Sequence, residues 1–361
     1  MIARRPRYKT FRAQSRAYSH PHAVQFLTVN TKTANAGTSV SLDQCFLLGF
    51  AAESAFECGD LRVVHALPST RVRGVVRTPT LLNNSQHAHP FPIVRANVAM
   101  PSGTVTSATA TLQLNVNSVL TTVATQNYTG AQLPGDSTRR IALAFNGNAL
   151  STGVYPYTLT VAVTVAGNPS AVTVKSTDTL VIVNRSASEF GAGWWLAGYE
   201  RVIELLTSEL LWIGGDGSTR LYTHRNDGGS LSLTKWMTDS ITRPDSIVRP
   251  PFTYTFTRYV PNGGRIVFDN SGQHTVTIDR LGDSTRFSRD GNGFLAMITL
   301  PPLSSPYAFV YNSNQKLDRV VAPPFYLGAP DRATIATVVN GQTTVLTNPD
   351  GSTTSFAYAA R

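Results

Sequence analysis

The sequence predicts an all-β protein: a β-sandwich followed by a sheet of repeated β-hairpins. Three observations predict it. Charge is scarce, at 14% of 361 residues, and 27 Gly and 21 Pro punctuate the chain, which excludes coiled coils and acidic disordered chains. Long Thr- and Val-rich stretches alternate apolar and polar residues with a period of two, the mark of strands. A glycine-to-aromatic spacing then recurs through the second half, as in repeat architectures.

Residues 1–42 carry seven basic residues and no acid, so most of the net charge of +10 sits there and the rest of the chain, 24 basic against 21 acidic, is only +3. That places the charge on a solvated, disordered arm and argues against a nucleic-acid face. No apolar stretch in the arm forms a secretion signal. No run of 18 apolar residues occurs anywhere, so no helical membrane span is expected.

Residues 43–95 read as a small β-segment containing the only two cysteines, Cys45 and Cys58, thirteen apart around a segment suited to a hairpin. A disulfide between them would restrict the unfolded chain by about 3 kcal/mol and suggests an oxidising compartment; two buried thiols are the alternative.

Residues 96–186 read as an immunoglobulin-like sandwich. Residues 96–135 and 141–174 lack any charge. Leu112, Leu114 and Val116 alternate with Thr111, Gln113 and Asn115, and turn signals near Pro101, Pro134, Gly147 and Gly167 cut strands about ten residues apart.

After Asn184 the texture changes to aromatics, Arg and Gly. An aromatic follows glycine five positions later in Gly217–Tyr222, Gly263–Phe268, Gly282–Phe287 and Gly351–Phe356. Asp216, Asn262 and Asp350 precede three of these glycines, a hairpin-turn signal. A second element interlocks with the first: Asp269, Asp290 and Asn312 stand 21 and 22 residues apart, with Phe268 and Tyr311 before two of them. The only plausible helix runs from Trp194 to Leu206, and Gly198 weakens it.

This double pattern resembles the Rhs and YD-repeat family, whose unit reads aromatic-x-Tyr-Asp-x-x-Gly-x-Leu followed by a Gly-x4-aromatic strand. Residues 184–361 carry the resemblance well, with Phe190–Trp194 and Leu211–Tyr222 similar to the segment that leads into the repeats; residues 45–95 carry it weakly, around Glu57–His65 and Thr78–Pro90. Arg289, Asn312 and Gln315 depart from the repeat's Tyr, Asp and Gly. The resemblance implies degenerate YD repeats over 187–361, in a bacterial, exported protein. In its relatives the repeats form a β-shell enclosing a C-terminal effector, usually a toxin, or build a cell-surface assembly. The partners it implies are downstream repeats and that effector on the same polypeptide. The chain ends within a repeat strand and lacks the Asp-Pro-x-Gly closing signature, so an N-terminal fragment with an open sheet edge is expected.

Chemistry finds little support. His87 and His89, like His20 and His22, share a strand-like spacing but lack a third metal ligand nearby. No Gly-x-Ser-x-Gly elbow, phosphate loop or dinucleotide fingerprint occurs, and Asp279 and Asp283 fit turn positions rather than a carboxylate pair. No catalytic residue, cofactor or metal is expected. Asn83, Asn127 and Asn184 match the N-glycosylation pattern and read as bystanders. Four tryptophans lie within 43 residues; Trp194 and Trp212 are the candidates for stacking glycans in an adhesin or carbohydrate-binding module. The competing reading has the repeat aromatics packing the sheet. A glycan-processing enzyme is a third class.

Overall fold

The computed structural model describes residues 27–31, 38–42, 46–48, 55–57, 61–68, 70–72, 75–77, 79–133, 135–205, 209–225, 234–237, 245–249, 255–261, 263–301, 306–324 and 332–358. Among these residues the fold is nearly all β, as the alternation predicts, with one short helix, Ser85–Ala88. The chain divides into two compact units, one holding residues 1–41, 61–88 and 185–361, the other 42–60 and 89–184.

The second unit contains the sandwich. Four strands, in spatial order Val119–Thr129, Val105–Val116, Gly153–Val165 and Val172–Ile182, form one sheet, and Thr138–Ala144 pairs with Ile93–Ala99 in another. Strand pairing begins at Ile93, three residues before the expected boundary. The period-two pattern works as read: Ala108, Ala110, Leu112 and Leu114 point into a core shared with Val94, Val98, Ile141, Leu143, Leu159 and Val161. Their partners Thr109, Thr111 and Gln113 face out. Between the two cysteines, Phe46–Leu48 pairs with Ala55–Glu57 as a hairpin, while Cys45 and Cys58 themselves lie outside the described residues.

In the first unit, sixteen of the described strands form a single antiparallel sheet. From Arg201–Glu204 to Thr353–Tyr358 its spatial order is its chain order, and Leu27–Thr31 pairs with Thr353–Tyr358 beyond the last repeat strand. Three expectations are corrected here. Part of the arm is strand: Leu27–Thr31 pairs with the final repeat strand, which offers it a row of unpaired backbone groups, and Thr38–Leu42 lies beside Leu61–Ala66 in a separate four-stranded sheet. For the same reason Thr353–Tyr358 is paired on both sides and is not an open edge. The helix expected over Trp194–Leu206 is absent: Trp194–Leu196 is a strand paired with Thr80–Asn84, and Arg201–Glu204 is a strand of the large sheet. Gly198, with φ +73, turns the chain between them.

The repeat spacing resolves into one five-residue turn. In Gly214–Ser218, Val260–Gly264, Asp269–Gln273, Asp279–Asp283, Asp290–Phe294, Asn312–Lys316 and Asn348–Ser352, the first N–H donates to the fifth carbonyl and the fourth N–H to the first carbonyl. The fourth residue always has positive φ: Gly217, Gly263, Gly272, Gly282, Gly293, Gln315 and Gly351. This is a type I turn followed by a left-handed residue, where glycine avoids a Cβ clash. Gln315 shows that the slot tolerates a side chain.

Two chemistries lock the turn. In one, the first side chain accepts the third and fifth N–H groups: Asp269 Oδ1 from Ser271 (3.0 Å) and Gln273 (2.9 Å), with Asp279, Asp290 and Asn312 alike. In the other, an Asp in third place accepts the fifth N–H, as Asp216 and Asp350 do from Ser218 and Ser352.

The connections alternate between the two ends of the strands. At one end lie the turns beginning at 214, 260, 279 and 348; at the other lie those beginning at 269, 290 and 312 and the two-residue turn Asn340–Gly341. Every connection in the second set is followed by a one-residue bulge, at Thr275, Ala296, Asp318 and Thr344. None in the first set is. The extra residue resets the alternation, so the buried pairs Leu295 and Ile298, Leu317 and Val320, and Thr343 and Leu346 stand three apart rather than two.

One face of this sheet packs on the segment 185–200. Phe190, Trp194, Leu196 and Tyr199 join Leu295, Ile298, Tyr307, Phe309, Leu317, Val320, Leu346 and Phe356 in one core. The segment is also tied to the bulged ends: Ala192 N–H donates to Gly341 O (2.7 Å), Leu317 N–H to Glu189 O (2.8 Å) and Thr343 Oγ1 to Phe190 O (2.9 Å). A second core gathers Val202, Leu210, Trp212, Tyr222, Ile247, Phe256, Ile266 and Phe268.

Candidate functional site

The strongest concentration of polar groups inside the molecule lies beside that second core. Strand Phe256–Tyr259 alternates, so Arg258 points to the same buried face as Phe256. Its guanidinium meets Asp245 through two contacts, Nε to Oδ1 (3.1 Å) and Nη2 to Oδ2 (2.6 Å). Nη1 donates to Glu200 Oε2 (2.9 Å), and Nε also reaches the Tyr222 hydroxyl (3.1 Å). Trp212 Nε1–H donates to the same Glu200 oxygen (2.6 Å), and its ring lies 4.0 Å under the guanidinium. Arg220 adds a further bond to Asp245 Oδ2 (2.7 Å).

Burial would weaken the Arg258 charge, but hydrogen bonding to Asp245 and the charges of Glu200 and Asp245 outweigh it and raise the pKa above the usual guanidinium value. Burial pushes the Glu200 carboxyl up and the Tyr222 hydroxyl up to about 12. A multiply paired cation between two carboxylates is the arrangement that makes a buried charge tolerable.

An adjoining cavity of about 540 Å³ is lined in part by Glu200, Arg258, Arg265, Thr277, Asp279 and Arg280. Its carboxylates are engaged: Glu200 by Arg258 and Trp212, and Asp279 Oδ1 by the N–H groups of Leu281 and Asp283. General acid–base work needs a carboxyl within reach of a substrate proton. Here the carboxylates hold protein groups instead, so the arrangement is a clamp between residue 200 and three strands.

A second cluster surrounds His274, which fills the slot where the neighbouring repeats have Leu295 and Leu317. The ring is fully buried, stacked 6.1 Å from Tyr199 and tilted against Phe287 at 4.2 Å. Nδ1 accepts from Glu200 N–H (3.1 Å), and Nε2 lies 2.8 Å from Thr277 Oγ1. Burial, then the nearby Arg289 charge, lowers its pKa to about 3, so it is a neutral structural ring. Arg289, which stands where the neighbouring hairpins have Phe268 and Tyr311, donates to the Tyr199 hydroxyl (2.8 Å) and His274 O (2.9 Å). A third cation, Arg185, donates to Gly214 O (2.8 Å) and Gly215 O (3.0 Å) over the Trp195 ring; burial lowers its pKa to about 9.

The residues singled out from the sequence fall into place around these clusters. Gly217, Gly263, Gly282 and Gly351 occupy the fourth turn position, and Asp269, Asp290 and Asn312 the first. Tyr222, Phe268 and Phe356 are buried; Phe287 and Tyr311 are half-buried against the core, with Tyr311 OH donating to Leu295 O (2.7 Å). Glycan stacking at Trp194 and Trp212 is corrected. Trp194 is 0% exposed, edge-on to Phe356, and Trp212 is 9% exposed beneath Arg258. Neither ring offers a face to a sugar. Asn83 is also buried, donating to Ala192 O. His87 lies in the short helix with its ring against Gly217, where a Cβ would come within 1.7 Å of it. Among the described residues no group of three or more His, Cys, Asp or Glu is placed to hold a metal, and no helix is long and apolar enough to cross a membrane.

Sequence reasoning missed Arg258, Asp245, Glu200, His274 and Arg185. Two carried a signal: Arg258 shares a strand face with Phe256, and His274 replaces a repeat leucine. No family model matches the chain, and no curated protein matches it.

Proposed function

We propose that this chain is a non-enzymatic structural section of an Rhs/YD-repeat protein, forming wall and attachment region of a β-shell that encloses a C-terminal effector or builds a cell-surface assembly. The observation that carries this reading is the alternation of turns along an uninterrupted meander. A bulge bends its strand and increases local twist. Bulges confined to one end of the strands bend the sheet in the same sense at each repeat, which suits a curved wall. The segment 185–200 lines one face of that wall, and the buried Arg258 and Arg185 clusters fasten it.

On this reading the sandwich is the attachment module, the protein acts outside the cytoplasm, and its partners are further repeats and the effector. Sequencing the gene beyond the codon for Arg361 tests it. Further Asp-x-x-Gly units at intervals of 21 to 22 residues, then an unrelated segment, are the expected result. A reading frame that closes there and yields a stable protein overturns it.

A further inference from the structure

The four-stranded sheet of the sandwich has two end strands, and they differ. Val172–Ile182 carries Lys175 and Asp178, the charges that ordinarily keep an open strand from recruiting another chain. Arg201–Glu204, at one end of the large sheet, likewise carries Arg201 and Glu204. Val119–Thr129 has eleven residues with no charge, no Pro and no Gly, and among the described residues it pairs only with Val105–Val116, which is also uncharged. Val119 and Leu120 at its start are 62% and 53% exposed. Thr122, Thr125, Asn127 and Thr129 are exposed and stand opposite Gln113, Thr111, Thr109 and Ser107 on the outer face.

We propose that Val119–Thr129 pairs antiparallel with the same strand of a second copy about a two-fold axis, joining the two sheets into one of eight strands. The strand is self-complementary in the sense a two-fold requires. A one-residue bulge at Val123 interrupts this edge, so the ladder runs over the regular stretch Ala124–Thr129, where uncharged Ala, Thr, Gln, Asn and Tyr side chains meet and no like charges face each other. Head-to-tail pairing with Val172–Ile182 would instead set Lys175 and Asp178 against an uncharged strand and leave open ends that polymerise. The inference is independent of the proposed shell, since it concerns the sandwich alone.

Sedimentation equilibrium on the full chain tests it. The native protein is expected to dimerise in the micromolar range. Thr122→Lys with Thr125→Lys, both exposed, brings four like charges to the joined edge and weakens self-association at least tenfold, with far-UV circular dichroism unchanged. Thr177→Lys, on the other end strand, leaves it intact. If the double variant fails to fold, amide exchange on the native chain decides: protection of residues 119–129 that rises with protein concentration, while that of 172–182 does not, supports the pairing. A native chain that stays monomeric, a dimer that survives the lysines, or exchange in 119–129 independent of concentration overturns it.

Discussion

The repeat sheet and the sandwich are both antiparallel and both continuous with their sequence pattern, yet they hold together differently. In the repeat sheet most partners are neighbours in the chain, strands run four to eight residues, and the turns beginning at Asp269, Asp279 and Asp290 each close through their own backbone and an Asp side chain. Its core is aromatic and contains charges. In the sandwich the strands run 7 to 13 residues, Ile93–Ala99 must find Thr138–Ala144 across an intervening hairpin, and the core is mostly Ala, Val, Leu and Ile, with Met100 and Phe145, and holds no ionisable side chain among its members. Local turn chemistry specifies register in the first case. In the second, register rests on which face buries, since a one-residue slip would turn the Thr face inward.

That contrast can be broken at chosen points, because all four tryptophans belong to the unit with the repeat sheet. Trp fluorescence therefore follows that unit, while far-UV circular dichroism follows both. The largest effect is expected from Arg258→Met, which leaves Glu200 without its ion-pair partner and Asp245 with Arg220 alone, and costs about 3–5 kcal/mol. Urea unfolding should show the fluorescence transition moving to lower denaturant while a second, dichroism-only transition stays in place. Leu112→Ala does the reverse: about 3 kcal/mol is lost from the sandwich, and the fluorescence transition is unmoved.

Gly272 and Gly282 separate local from tertiary demands within the repeat sheet. Both have positive φ, but a Cβ on Gly282 meets nothing within 4 Å, whereas one on Gly272 would stand 1.8 Å from Val202 O. Gly282→Ala should cost about 1–2 kcal/mol, the left-handed penalty alone. Gly272→Ala should cost clearly more and loosen the Val202 N–H bond to Gly272 O, read as faster exchange of the Val202 amide.

Acid supplies the smallest increment per step. The folded pKa of His274, about 3, lies below its unfolded value of 6.5. The unfolded chain therefore takes up the proton first, and stability falls as pH drops from about 6.5 towards 3, by about 1.4 kcal/mol per pH unit. His65, lowered by burial to about 4, acts in the same sense. His274→Leu should remove one proton's worth of slope from the fluorescence-monitored acid limb and leave the sandwich unaffected.

The turn residues were legible because their effect is local: Asp269, Asp290 and Asn312 act on N–H groups two and four residues away, and glycine acts on its own φ. The sandwich strands were legible because period two directly sorts Leu112 from Thr111. The buried spacing of three in Leu295–Ile298 and Leu317–Val320 was present in the sequence but hidden by the expectation of strict alternation. Trp194–Leu206 misled because its apolar spacing suits a helix, while packing on the sheet and pairing with Thr80–Asn84 favour strand.

The amino-acid sequence by itself determined the fold class, the turn positions and the face each regular strand buries, since these follow from backbone conformation and side-chain alternation over a few residues. Tertiary structure alone decided that Arg258 would sit between Asp245 and Glu200, that Leu27–Thr31 would pair with Thr353–Tyr358, and that Trp194 and Trp212 would be interior. Those outcomes join groups up to about 330 positions apart. Loop-closure entropy makes such contacts unfavourable until the intervening strands are ordered, so the information for them is spread over the whole sheet rather than written in any one segment.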